Sequence, residues 1–501
     1  VSTIDSGTTP DPASGADTQR RERIDPQVWK IAGVVMLAPL MAQLDSTVVN
    51  VSLSTLAEKL DTTLTTIQWV SSGYLLALAL TLPLTGWLVD RVGARRVYLA
   101  TFSIFTLTSL LCGIATTAPS LILFRILQGM AGGVLTPLSQ MMMARTAGRN
   151  MARVMGIAVM PVMIGPILGP TLAGLILQHA GWQWIFLVNL PVGILATLLA
   201  WRVLPPDRDL RVRRSFDALG FIMLAPALAM LLHSLETLAS GDGTDPQGVW
   251  LELSAAIVLL AAFLWHATRR AGAALIDIRL FRTRTFSASA ATQFLTNCMT
   301  YGGQLLFPLY LITARGYSPS RAGILLALMG LGLLCAFPLM GKLTDRYGSR
   351  RVATGGALIG LIGTLPFVLV DRYEMPDLMI CALLWLRGTG LGSINIPSMS
   401  SAYADMPRER LPVATTALNI VQRLGGPIAT TVLAIWLHAS LGSYMNDTAA
   451  ANGAAAAYAT ANFAAANHTA AAFSSTFALF CVVHALGVIA AAMIPGRKNR
   501  P

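Results

Sequence analysis

The chain has 501 residues, of which 54% are hydrophobic and only 12% charged. A soluble domain carries about 25% charged residues, so the composition excludes an ordinary soluble protein and indicates a polytopic membrane protein. A formal net charge of +12 would suit nucleic acid, but the basic residues lie between apolar runs, where they set topology and face anionic lipid; no nucleic-acid partner is expected.

Residues 1–27 are polar and rich in Ser, Thr, Asp and Arg, with none of the apolar core of a signal peptide. They are expected to form a disordered cytoplasmic tail. Apolar runs long enough to cross the hydrocarbon, about 20 residues, follow near 31–54, 67–89, 97–116, 119–143, 152–177 and 184–204. Two more lie near 216–236 and 248–268, and the last six near 285–312, 320–341, 350–370, 377–402, 412–438 and 472–494. These predict an all-α membrane protein of fourteen spans. With the N-terminus inside, the inner segments hold 29 of the 36 Lys and Arg, and the outer loops hold four: Lys59, Arg315, Arg321 and Arg372. An extra or missing span would scramble this alternation, so the count predicts both termini in the cytoplasm.

The implied division is a tail (1–27), a six-helix bundle (28–204), a two-helix insertion (205–272), an amphipathic linker (273–284), a second six-helix bundle (285–495) and a short cytoplasmic tail (496–501). The Ala-rich outer stretch 440–471 reads as a loose spacer rather than a helix. Cys112, Cys298, Cys335, Cys381 and Cys481 all fall in apolar runs, which argues against a disulfide framework or zinc site. With no nucleophile–base pair or phosphate loop apparent, no enzyme and no cofactor is expected.

The segment from Gly86 through Asp90, Arg91, Gly93 and Arg95 to Arg96 recurs from Gly341 through Asp345, Arg346 and Gly348 to Arg351. Both read G-x-x-x-D-R-x-G-x-R-R, an internal repeat that implies two related halves. Asp45 is the one acid deep within a predicted span. A carboxylate in lipid is costly and is by default functional, and desolvation would let it bind and release a proton near neutral pH. Arg125, Arg387 and Arg423 are the basic residues inside spans; arginine stays charged, so it can tune a carboxylate but not carry the proton. The fifth span carries Gly156, Gly165, Gly169, Pro170 and Gly174 with Pro161 and Pro166, a small-residue pattern that lets backbones approach.

Together the two loops, Arg125 and the Gly-Pro span resemble the signature motifs of the major facilitator superfamily; the Gly-Pro span resembles its antiporter form, with Ala173 in place of a usual glycine. Fourteen spans, Leu44 to Val51, Gln68-Trp69-Val70 with Tyr74, and Trp182 to Phe186 with Asn189 and Pro191 look like the fourteen-helix drug–proton antiporter family. That resemblance implies two six-helix bundles plus an inserted hairpin in a bacterial cytoplasmic membrane. It implies proton-coupled efflux of amphiphilic or cationic small molecules by a monomer, with protons as the coupling ion. Asp45 would sense the proton and Arg125 would couple it to a cytoplasmic gate of Gly86, Asp90, Arg91, Gly93, Arg95, Asp345 and Arg346. Gly165 to Gly174 would hold the halves together on the outer side. By position, the substrate cavity is expected at Trp69, Tyr74, Gln128, Phe294, Asn297, Tyr301, Gln304, Asn395, Asn419 and Gln422, with Tyr301, Gln304 and Phe307 on one helix face. The alternatives are a proton-linked exporter of one metabolite, peptide or sugar, and a non-transporting membrane sensor.

Overall fold

A computed structural model describes residues 24–207, 215–240, 246–270, 274–404, 406–451 and 457–496. Residues 1–23 of the expected N-terminal tail, the C-terminal tail beyond 496 and residues 208–214 lie outside them. The first set of helices is α1 (Pro26–Lys59), α2 (Leu64–Thr81), α3 (Thr85–Val92), α4 (Ala94–Gly113), α5 (Ala118–Ala147), α6 (Met151–Ala158), α7 (Met160–His179), α8 (Trp184–Leu187) and α9 (Asn189–Val203). A hairpin follows, α10 (Ala218–Ser240) and α11 (Pro246–Arg269). The second set is α12 (Arg284–Leu309), α13 (Pro319–Tyr347), α14 (Ser349–Thr364), α15 (Asp377–Ala404), α16 (Leu411–Ala451) and α17 (Ala457–Met493).

Among the described residues, twelve helices are long and apolar enough to cross a membrane. Their outward faces carry large apolar side chains such as Leu251 and Val258 on α11, surface that needs lipid rather than water. Two expected spans are broken where proline removes a backbone donor: α2 passes into α3 through a 3-10 turn containing Pro83, and α6 gives way to α7 just before Pro161. The stretch 440–471 departs from the expected spacer. Its described residues are helical, continuing α16 to Ala451 and opening α17 at Ala457, because alanine is the strongest helix former. Residues 452–456 lie outside the described set.

The first set packs through α2 on α5, α4 on α5 and α9, and α1 on α5, α7 and α9; the second through α15 on α13 and α14, and α12 on α15, α16 and α17. Each motif loop is a helix junction. Gly93 and Gly348 adopt φ +103° and +83°, a region that favours glycine. A Cβ at Gly93 would also strike the carboxylate of Asp207. Asp207 accepts hydrogen bonds from the first-turn amides of α4, Arg95 N at 3.0 Å and Arg96 N at 3.2 Å, so it satisfies orphan donors and opposes the helix dipole.

The hairpin packs its α10 against α2 of the first set and α16 of the second. Its foot is tied by buried Asp217, which accepts from Gly220 N at 3.1 Å and Leu275 N at 3.0 Å and meets His266 Nε2 at 2.9 Å. Leu275, Ile276 and Leu280 of the expected linker turn inward here; residue 273 is not described. Burial opposes the charge on Asp217, but the His266 bond and the two amides outweigh it and hold the carboxyl below its usual range. A depressed carboxylate stabilises the fold fully above its unfolded pKa, about 3.9, and that contribution is lost as pH falls through the lower folded value. Asp217→Asn is therefore expected to speed hydrogen exchange at the Gly220 and Leu275 amides at neutral pH, by about tenfold for a loss near 1.4 kcal/mol. In the parent, the protection of these amides relative to free-peptide exchange should fall likewise below about pH 4. Unchanged exchange in the variant would show that the amides are held by other means.

Candidate functional site

The polar centre of the first set is built from four helices. Asp45, halfway along α1, is 2% exposed, and Arg125 on α5 is 1% exposed. The Asp45 Oδ2 atom lies 2.5 Å from Arg125 Nη1. Its Oδ1 accepts from Asn189 Nδ2 of α9 at 3.0 Å and from Gln128 Nε2 at 3.4 Å. Arg125 also donates to Gln128 Oε1 at 2.6 Å and, through Nε, to the Val70 carbonyl of α2 at 3.1 Å. Tyr74 closes the group, its ring centroid 4.2 Å from the guanidinium. Both charges are paired, Asp45 accepts from three donors and Arg125 donates to three acceptors, a setting in which a buried ion pair is tolerated.

Local sequence explains the close approach. Gly129 meets the Tyr74 backbone, and Gly132 lies 3.0 Å, as a virtual Cβ, from the Tyr74 hydroxyl. These glycines bring α5 onto α2. Gly165 and Gly169 do the same for α7 on α1: a Cβ at Gly165 would lie 3.1 Å from Gln43 Cγ, and one at Gly169 would strike Thr47. They flank the turn that carries Asp45. The close contacts of these two glycines fall within the first set, although α7 also touches α13 of the second. Gly174 has open space around it, and the side chain of Pro170 is outside the described set.

Contacts between the two sets gather at the end that carries the motif loops. Gly156 abuts the Phe337 carbonyl, with 2.7 Å for a virtual Cβ, and Gly341 abuts the Arg153 backbone at 2.6 Å. Gly86 lies against Pro412 at 3.4 Å. Asn419 Nδ2 donates to Gln140 Oε1 at 2.7 Å, and Arg145 Nη2 to the Arg408 carbonyl at 3.4 Å. The gate residues behave unequally. Asp90 is buried, whereas Arg91 lies over the Trp87 ring and Arg95 donates to the Trp201 carbonyl, both within the first set. Asp345 and Arg346 end α13, with Arg346 over Tyr347.

The expected cavity residues divide. Tyr74 and Gln128 belong to the buried ion-pair cluster. Trp69 is 44% exposed and Tyr301 48% exposed, and Gln304 is exposed too; none of them takes part in the contacts at the closed end. Trp69 also stacks on His233 of the hairpin, centroids 6.0 Å apart. Asn297 is half-buried and bonds the Gln293 carbonyl at 3.1 Å. The Asn395 carbonyl accepts from Gln293 at 2.8 Å. Phe294 and Gln422 are half-buried, and buried Asn419 is part of the closed end. Phe307 does not share the Tyr301 face. Six residues turn a helix by about 600°, leaving it about 120° away, and Phe307 is buried among Phe367, Phe477 and Phe480. Sequence reasoning missed three contributors: Asn189 as a ligand of Asp45, Gln140 as the partner of Asn419, and Asp207 as the cap of α4. The signal for Asn189 was a lone amide in an apolar run.

A buried acid–arginine pair beside a glycine-packed helix, two homologous loops and two helix sets joined at the motif end meet in one chain. The Major Facilitator Superfamily model matches residues 35–430. The chain belongs to the major facilitator superfamily. Members of this superfamily are transporters, not enzymes. The chain is 34% identical over 419 residues to the multidrug resistance protein B homolog of Mycobacterium tuberculosis, covering 83% of this chain and 77% of that protein. It is 31% identical over 417 residues to the putative multidrug resistance protein MdtD of Escherichia coli O157:H7, covering 82% and 86%. The fold is shared with the proton:xylose symporter XylE, at TM-score 0.61 and 13% identity over 95% of this chain and 98% of that one. It is shared also with the human organic anion transporter MFSD10, at TM-score 0.58 and 16% identity over 92% and 99%. As a superfamily member the chain is a multi-pass membrane protein that acts on a small molecule.

Proposed function

We propose that the protein is a proton-coupled exporter of amphiphilic small molecules that works by alternating access. The reading is carried by the Asp45–Arg125 pair. A proton arriving at Asp45 would neutralise it, Arg125 would lose its counter-charge in a low-dielectric site, and α1, α5 and α9 would no longer be held in one arrangement. Closure at the motif end corresponds to a carrier facing outward if that end is cytoplasmic, as the distribution of Lys and Arg favours. In that frame α7, of 20 residues, and α12, of 26 residues, join the twelve apolar helices as spans. Fourteen spans then comprise two six-helix bundles and the inserted hairpin, with both termini in the cytoplasm of a bacterial cell. The multidrug resistance names of the relatives at 34% and 31% identity support a broad substrate range. No cofactor beyond the proton is invoked, and one chain holds a complete pair.

The test is flux in proteoliposomes across an imposed pH gradient, with a chemically varied panel of amphiphiles. Substrate movement should follow the gradient, and substrate should in turn dissipate it. If no panel member moves and none dissipates the gradient, the exporter reading fails.

A further inference from the structure

Three arginines lie at membrane depth, and they are accommodated in different ways. Arg125 is neutralised by Asp45. Arg387 is buried, donates to the Met299 carbonyl at 2.5 Å and lies against the rings of Phe307 and Phe480. Arg423, on α16, has neither a hydrogen-bond nor a carboxylate partner among the described residues, and it is half-buried rather than sealed.

Its position follows from helix geometry. Asn419, one turn before it on the same face, bonds Gln140 of the first set at the closed end. Gly426, nearly one turn after it, carries the Tyr301 ring, 2.9 Å from a virtual Cβ. Arg423 therefore sits between the Asn419–Gln140 contact of the closed end and the exposed Tyr301 ring. Tyr301 and Tyr74, from opposite sets, are both within its electrostatic reach. A small cavity of about 10 Å³ beside it is otherwise apolar, with Ala79, Leu82, Leu228 and Leu232 in its lining. The one carboxylate at this depth in the two sets, Asp45, is sealed behind Tyr74 and already occupied by Arg125, Asn189 and Gln128. Two hairpin carboxylates lie outside that cavity's lining, Glu252 on His233 at 2.9 Å and Glu236 exposed one turn after Leu232; within it Arg423 is the charged member and would meet an anionic ligand as an unpaired guanidinium. Protonation of Asp45 would make this region more positive still.

We propose that Arg423 is a charge-selective contact of the substrate path, so that the preferred cargo is an amphiphile bearing an anionic group, such as a sulfonate or carboxylate, rather than a cation. This rests on the exporter reading above, with the substrate path taken to run between the two sets from the closed end past Arg423 and Tyr301, and it narrows the expected amphiphilic or cationic range. A desolvated guanidinium selects for a complementary anion and against a like charge.

The experiment compares two permanently charged probes with one apolar body, 4-(1-pyrenyl)butanesulfonate and 4-(1-pyrenyl)butyltrimethylammonium. Binding is measured by dialysis in detergent, and flux in proteoliposomes under a pH gradient. The wild type should favour the sulfonate by about tenfold or more. Arg423→Lys should keep that preference, Arg423→Gln should bring the ratio near one, and Arg423→Glu should reverse it. Equal or better binding of the ammonium probe by the wild type would overturn the inference, with no variant needed. So would an unchanged ratio in folded Arg423→Gln. If the sulfonate binds selectively but neither probe follows the pH gradient, proton coupling fails and the charge selection stands.

Discussion

Asp45→Asn should abolish movement of substrate down an imposed pH gradient, with flux falling to the protein-free background, a loss of about a hundredfold or more if the carboxyl is the general proton acceptor. The variant has a predictable side effect. An amide in place of the carboxylate leaves Arg125 buried without a counter-charge, and breaking a buried pair costs about 3–5 kcal/mol. Reduced yield is therefore expected from Asp45→Asn for reasons unrelated to protons. The double variant Asp45→Asn with Arg125→Gln separates the two effects. Removing both charges should restore yield and thermal stability in detergent, since neutral groups can share the hydrogen bonds of Gln128 and Asn189, while pH-driven flux stays absent. Asp45→Glu should retain part of the flux. A well-folded double variant that still couples flux to the gradient would remove Asp45 from the mechanism.

Gly156→Val should tip the carrier away from the state seen here. The virtual Cβ of Gly156 lies 2.7 Å from the Phe337 carbonyl across the interface between the two sets. Backbone on both sides cannot give way as a long side chain can. The added bulk has one low-cost outlet, separation of α6 from α13, which opens the motif end. Even about 1.4 kcal/mol against the closed contact shifts the two-state ratio tenfold. The measurement uses a background with the native cysteines replaced by serine and a single reporter, Gln140→Cys, beside the Asn419 contact. Gly156→Val should raise its labelling by a membrane-impermeant thiol reagent from the motif side by about tenfold. Equal labelling with and without the substitution would show that this contact does not set the equilibrium.

How much of this could be read from the residues differs by kind of feature. Asp45 was legible as a buried charge because a carboxylate in an apolar run is costly and needs a partner, and the motif loops were legible because they occur twice. The partners of Asp45 were harder to read. Asn189 lies 144 positions away, and nothing local says which helix its amide faces. Hydropathy also lost the breaks at Pro83 and Pro161, since a proline that opens a new turn leaves the apolar run intact. The neighbour of Gly165 and Gly169 was hidden for a different reason. Small residues announce close packing but not the neighbour, and the neighbour proved to be α1 of the same set. Composition misjudged the alanine-rich stretch too, where low complexity suggested a tether and intrinsic propensity made helix. Phe307 was assigned to the wrong face by carrying an i, i+3 step twice, which overruns a helical turn.

The hairpin touches both flanks at once: Trp69 stacks on His233 of α10, and Thr431 of α16 donates to the Leu235 carbonyl of the same helix. A strut fastened to two moving walls cannot follow both. Under the proposed alternating access, one of these attachments would have to slip or stretch whenever the walls separate, so the inserted pair would carry mechanical load in each cycle although it lies outside the ion pair's reach.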